Sequence, residues 1–291
     1  MSQENLLLTL HIICSGTSDI AFSLMWGSVL SLYWGELPDS LFAPLNRMFN
    51  ATAIILCMVL PLQIVLLTAD MAGTTHWPEL RPILPDIVAM HAGSVLQSQF
   101  ICSLLAAITI FFPLKPIARR SVLTVLLLSL TTFKSAAGHA SIDGSFSVRE
   151  ISQWLHLSSI ATWSGGVLIA AWILIPRVEE SATSLSLFLK RLSLQCSLSV
   201  AIAFLSGLAN SWLITEGKIE PLRSSTWGTL LLVKLVAVLI ALSIGFLNYR
   251  DLRRTINGDT QLLVIKRIHL EAWIMIVILC ASGWLSNLSP S

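Results

Sequence analysis

Eight apolar runs of about 20 residues, at about 6–33, 50–69, 95–114, 120–138, 151–175, 195–215, 227–249 and 268–288, limit what this chain can fold into. An α-helix needs a run of about that length to cross a hydrocarbon core about 30 Å thick. Inside lipid each backbone N–H and C=O must be satisfied within its own segment, so the runs predict helices rather than open strands. The predicted fold class is all-α: a polytopic membrane protein with eight transmembrane helices. Composition agrees, with 55% hydrophobic and only 12% charged residues, against about 25% charged in an average soluble domain. No stretch is left over for a sizeable soluble domain, and the longest gap, 70–94, is rich in proline (Pro78, Pro82, Pro85).

The basic residues give an orientation. The connections 1–2, 3–4, 5–6 and 7–8 hold twelve Lys and Arg, among them Arg119, Arg120, Arg191 and Arg267, whereas the opposite face holds four: Arg81, Arg149, Lys218 and Arg223. By the positive-inside rule both termini are expected outside the cytoplasm; the resemblance described below makes that side the periplasm. The first run lacks a basic n-region and a small-residue cleavage site, so it is expected to stay as a span. Five cysteines (Cys14, Cys57, Cys102, Cys196, Cys280) fall one to a span, and no C-x-x-C spacing indicates a disulfide framework or a structural zinc site.

On this topology five of the six histidines face outward: His11, His76, His91, His139 and His156, with His269 on the cytoplasmic side. His11, Cys14 and Met25 share one stripe of span 1 at about 100° per residue. Imidazole, thiol and thioether are the ligand types that suit copper, the sulfurs favouring Cu(I). Met71, His76, Met90 and His91 in the outer 2–3 connection are candidates for capturing such an ion. Asp19, a carboxylate in mid-span, must face the bundle interior or a wet cavity. It is read as a metal way-station, a proton-coupling acid or the partner of Lys234. Lys134 is expected to snorkel to the headgroups. Gln153, His156 and Trp163 recur at three and seven residues on one face of span 5, and Ser164-Gly165-Gly166 thins that helix for close packing. His269 beside Glu271 is read as a cytoplasmic interface pair.

Gly138-His139-Ala140 followed by a helix containing HLSSIATWSGGV resembles the copper resistance protein D family (CopD/PcoD). The likeness continues through SGLANSWLITEG, through STWGTLLLVKLVAVLIALSIGFLNYR with Lys234 and Asn248, and to Glu271 and the Leu285, Leu288, Pro290 end. VLQSQF at 95–100 resembles the family too. The strongest resemblance therefore covers 95–291 within a single transmembrane domain spanning 1–291. It implies an eight-helix inner-membrane protein that moves copper, beside a periplasmic copper-binding partner of the CopC type. Some relatives carry a histidine or an acid where this chain has Gln153, an amide and a poor copper ligand, so His139 or His11 would complete a site with His156.

The expected function is copper transport and homeostasis, from periplasm toward cytoplasm, through an outward His/Met site: His139, His156, His11, Cys14, Met25, His76, Met90 and His91. Asp19, Gln153, Trp163 and Lys234 are further residues of the path. Neutral imidazole binds the metal, and the reference pKa is about 6.5, so loading is expected to weaken in acid. Two alternatives stand beside this reading. Two histidines at the outer ends of neighbouring helices can ligate a b-type haem, and the protein can instead be a membrane scaffold for a periplasmic copper chaperone. No phosphate-binding loop or nucleophile–base motif points to an enzyme.

Overall fold

The computed structural model describes residues 3–33, 39–112, 114–137, 144, 146–178, 182–215, 225–252 and 258–288. His139, Lys218, Arg223 and Pro290 lie outside the described residues, and so do the expectations that rest on them. The described chain is helical: α1 (Gln3–Ser31), α2 (Asp39–Ala72), α3 (Trp77–Leu80), α4 (Leu84–Ala89), α5 (His91–Ile108), α6 (Pro116–Ser135), α7 (Val148–Ile169), α8 (Ile175–Val178), α9 (Ala182–Thr215), α10 (Thr226–Leu252) and α11 (Gly258–Leu285). A π-turn, Ala170–Leu174, joins α7 to α8 without a break. Among the described residues six helices are long and apolar enough to cross a membrane: α1, α2, α5, α7 with its continuation, α9 and α10. The long helices α6 and α11 occupy the places of the expected fourth and eighth spans.

Two helices run well past their apolar cores. α2 and α9 are each 34 residues long, beginning about ten residues before the apolar run predicts. Leu41 and Leu45 of α2 and Phe188 and Leu189 of α9 explain this, because all four are buried in the same cluster as Leu174 of the π-turn and Ile175 of α8. Arg47 therefore lies inside a helix rather than in a connection. The proline-rich 70–94 stretch is also partly helical. Pro78 and Pro85 sit in the first turns of α3 and α4, where a missing N–H costs nothing.

α1 is the central post, with α2, α6, α7 and α11 against it. Its crossings with α7 and α11 are backbone to backbone. A Cβ on Gly27 would lie 2.1 Å from the Gly165 carbonyl oxygen, and one on Gly283 would lie 2.4 Å from the Gly16 nitrogen. Ser23 and Gly27, four residues apart, form the small-residue strip that lets α7 approach so closely. One apolar cluster fills the space among α1, α2, α5 and α6, and another joins α7 to α9, α10 and α11. α7 thus belongs to both halves, and its start is fixed by Ser147, whose hydroxyl accepts the Glu150 N–H at 3.2 Å.

Candidate functional site

Polar side chains meet along the seam between α7 and α9. Nearest the start of α7, Asn210 donates from Nδ2 to Gln153 Oε1 at 2.7 Å, and the Ser152 hydroxyl donates to the Ser206 carbonyl at 3.3 Å. Next comes His156. Its Nδ1 lies 3.0 Å from the Ala203 carbonyl oxygen and 3.3 Å from Ser206 Oγ. A carbonyl oxygen can only accept, so Nδ1 carries the proton and the neutral ring keeps its lone pair on Nε2. A backbone partner that fixes the tautomer in this way is what orients a metal-binding imidazole. Gly207 provides the room, since a Cβ there would lie 3.1 Å from His156 Cε1.

About 10 Å farther along α7, by helical rise, Trp163 donates its indole N–H to Glu271 Oε1 of α11 at 3.2 Å. Asn248 of α10 lines the same cavity as Glu271. Glu271 is buried, so it does not form an interface pair with His269. Residues two apart on a helix point to different sides, and His269 Nδ1 instead contacts its own helix at Ile265 O, 2.9 Å away. The face of span 5 that carries Gln153, His156 and Trp163 is therefore a run of polar contacts to two other helices, α9 and α11.

The remaining candidates are dispersed. His11 Nε2 lies 3.0 Å from Asp70 Oδ2 at the end of α2. Cys14 is packed with Leu7, Leu66, Ala69 and Leu80, and Met25 with Phe22, Leu56 and Leu127, so the stripe of span 1 ends in two separate apolar clusters. His76 is exposed at the start of α3, and Met71 and Met90 are exposed as well. His91 reaches across to α6, with Nε2 3.1 Å from the Ala136 carbonyl oxygen, three residues before His139 in the chain. Among the described residues no three His, Cys, Asp or Glu side chains converge as a ready metal cage.

Of the readings open for Asp19, pairing with Lys234 gives way to pairing with Lys134. Lys134 Nζ of α6 lies 2.8 Å from Asp19 Oδ1 and 5.8 Å from the Phe22 ring centre. Lys134 therefore turns inward and does not snorkel, while half-buried Lys234 makes no ion pair among the described residues. Asn210, Ser206, Gly207, Cys196 and Asn248 were not singled out as site residues. Each lies on α9 or α10, where the sequence pattern is uniformly apolar and carries little information about which side faces α7.

Two family models match the chain: copper resistance protein D-like, N-terminal domain, over residues 4–148, and copper resistance protein D over residues 186–285. The matched ranges leave most of α7 between them. The chain is 28% identical over 287 residues to copper resistance protein D of Pseudomonas syringae pv. tomato, covering 92% of each chain. It is 26% identical over 254 residues to copper transport protein CutJ of Bacillus subtilis (strain 168), covering 81% of this chain and 46% of that one. No solved structure matches the chain. With both halves of the bundle matched by models of the one family, and a relative aligned over 92% of each chain, this multi-pass membrane protein belongs to the copper resistance protein D family.

Proposed function

We propose that the protein moves copper across the bacterial inner membrane, from the periplasmic side toward the cytoplasm, with His156 as the ligand at the entrance. The observation that carries this reading is the geometry of His156, whose ring is held by the Ala203 carbonyl with Nε2 left as the free donor. The names of the relatives, copper resistance and copper transport, supply the cargo. α6 and α11 complete eight spans, both termini are periplasmic, and the basic connections stay in the cytoplasm. His91, His76, Met90 and His139 collect the ion outside the membrane or receive it from a CopC-type protein. Gln153 and Asn210 line the approach. His11 is held by Asp70, and Cys14 and Met25 serve packing in their apolar clusters.

A Cu(I) titration of the purified protein in detergent, beside a His139→Ala/His156→Ala double variant, tests the entrance. Tight stoichiometric binding that the double variant loses is the expected result. Equal binding by both proteins overturns the assignment. A Soret band in the purified protein would instead turn the reading toward haem.

A further inference from the structure

A cavity of about 410 Å³ lies among α7, α9, α10 and α11. It begins at Trp163 and Glu271, about 10 Å past His156 by helical rise along α7. From there its mostly apolar wall follows α9 back to Leu189 and α10 on to Leu252, the last residue of that helix. Those are the ends that carry Arg191, Arg250 and Arg267, the side assigned to the cytoplasm above. His156 stands outside the cavity, toward the start of α7, so the imidazole and the carboxyl group sit at two stages of one seam.

Glu271 is 4% exposed, and the Trp163 indole donates to its Oε1 at 3.2 Å. Among the described residues no Lys, Arg or His lies within ion-pair distance of it. The charges on the surrounding helices are engaged elsewhere or distant. On α11 itself Arg267 is paired with Asp251, and His269 contacts Ile265 O. On α1 Asp19 is paired with Lys134, and Lys234 of α10 lies about three turns before Gly245, the α10 residue beside Glu271 Oε1. α9 and α10 bring Cys196 and Tyr249 to the cavity, and their ordinary pKa values, about 8.5 and 10, leave both neutral near pH 7. α7 and the π-turn bring no titratable side chain to it. A buried carboxyl group with one neutral donor and no cation is held as the neutral acid. Its O–H is then a donor in the same cavity as Asn248 Oδ1, a buried acceptor without a hydrogen-bond partner.

We propose that Glu271 is a proton-binding site reached from the cytoplasmic side through this cavity, and that its ionisation supplies the negative charge that draws a cation inward from His156. The carboxyl O–H breaks, cytoplasmic water takes the proton, and the carboxylate stays behind as a counter-charge. No metal–ligand bond at Glu271 is needed, and the ion keeps its oxidation state. The cation and the sidedness rest on the copper reading above, whereas the proton site does not. At about 10 Å and an effective dielectric constant of about 20, one unit charge changes the occupancy of a monovalent cation roughly tenfold.

Two measurements test this. The first is infrared spectroscopy of the purified full-length protein in H2O and D2O without copper, comparing wild type with Glu271→Gln, which has the shape of the neutral acid. Near neutral pH, wild type is expected to show the deuterium-sensitive C=O stretch of a protonated carboxyl group that Glu271→Gln lacks. Absence of a band that depends on Glu271 overturns the proton site, whatever copper does. The second is Cu(I) uptake into proteoliposomes that hold the protein in one orientation, with the outer pH fixed and the inner pH varied. Wild-type uptake should rise roughly tenfold as the inner pH passes upward through the infrared midpoint. Glu271→Gln should stay at the low rate throughout, and Glu271→Asp, which keeps an ionisable group, should restore the dependence. Wild-type uptake that ignores the inner pH, or a dependence that survives in Glu271→Gln, overturns the role of the charge. No uptake by any of the proteins while the infrared band is present overturns the copper reading and leaves the proton site standing.

Discussion

His156 is useful only because of atoms the chain places 47 and 51 residues later: the Ala203 carbonyl that takes its Nδ1 proton and the missing Cβ of Gly207. Second-shell partners of a metal-binding histidine are worth about 10–100-fold in affinity. Gly207→Val, which crowds the ring, is therefore expected to lower Cu(I) affinity by about that range while the helical circular dichroism stays unchanged; a chelator competition titration measures it. Ser206→Ala removes the weaker 3.3 Å contact and should fall at the low end. The imidazole itself was legible in the sequence, since a histidine inside an apolar run is expensive unless it is bonded or metallated. Its partners were not, because they depend on how α9 is rotated, and a helix rich in Leu, Ala and Ser on every side does not announce its rotation. The same limit explains Asp19. Its depth was readable, but Lys134 and Lys234 are both cations on candidate neighbouring spans, and only the packing of α6 against α1 selects Lys134. Asp19→Asn or Lys134→Gln alone should cost on the order of 3 kcal/mol by leaving a charge unpaired, and the double change Asp19→Asn/Lys134→Met should recover most of it. Thermal unfolding in detergent gives that comparison.

At the level of the helices, the crossings at Gly27–Gly165 and Gly16–Gly283 hold α1 against α7 and α11. Ser164-Gly165-Gly166 was readable as a thin place in span 5, and Gly165 does meet α1 there. Which helix fills each side was not readable, and Gly166 turns toward Leu192, Gln195 and Cys196 of α9. Gly165→Ala would set a Cβ 2.0 Å from the Ser23 carbonyl oxygen, so α1 and α7 must separate. Overpacking of this kind costs about 1–3 kcal/mol, and the melting temperature in detergent should fall accordingly. Gly245→Ala, with its nearest contact at 3.6 Å, should leave the melting temperature unchanged. The helix ends were the least legible part. α2 and α9 extend beyond the membrane-length runs because Leu41, Leu45, Phe188 and Leu189 pack beneath α7, and hydropathy alone stops where Arg47 and Arg191 begin.

For the whole molecule, the two halves meet on α7, and the seam it shares with α9, α10 and α11 leads from Gln153 through His156 to Glu271. Asp251 ties α10 to α11 at the far end, with Arg267 at 2.7 Å and Arg250 at 3.3 Å. The orientation proposed here puts those arginines in the cytoplasm. Single cysteines placed at Glu79 and at Thr260 in a cysteine-free background should be labelled from opposite sides of intact cells by an impermeant maleimide, Glu79 from outside. The central claim is that copper crosses along α7. The most direct test is Cu(I) uptake into proteoliposomes holding the wild-type protein or His156→Ala at equal density. Saturable uptake that drops at least about tenfold in His156→Ala is the result expected from the second-shell and ligand arithmetic. Equal uptake by the two proteins would contradict the account, because copper would then cross without the imidazole proposed as its entrance ligand.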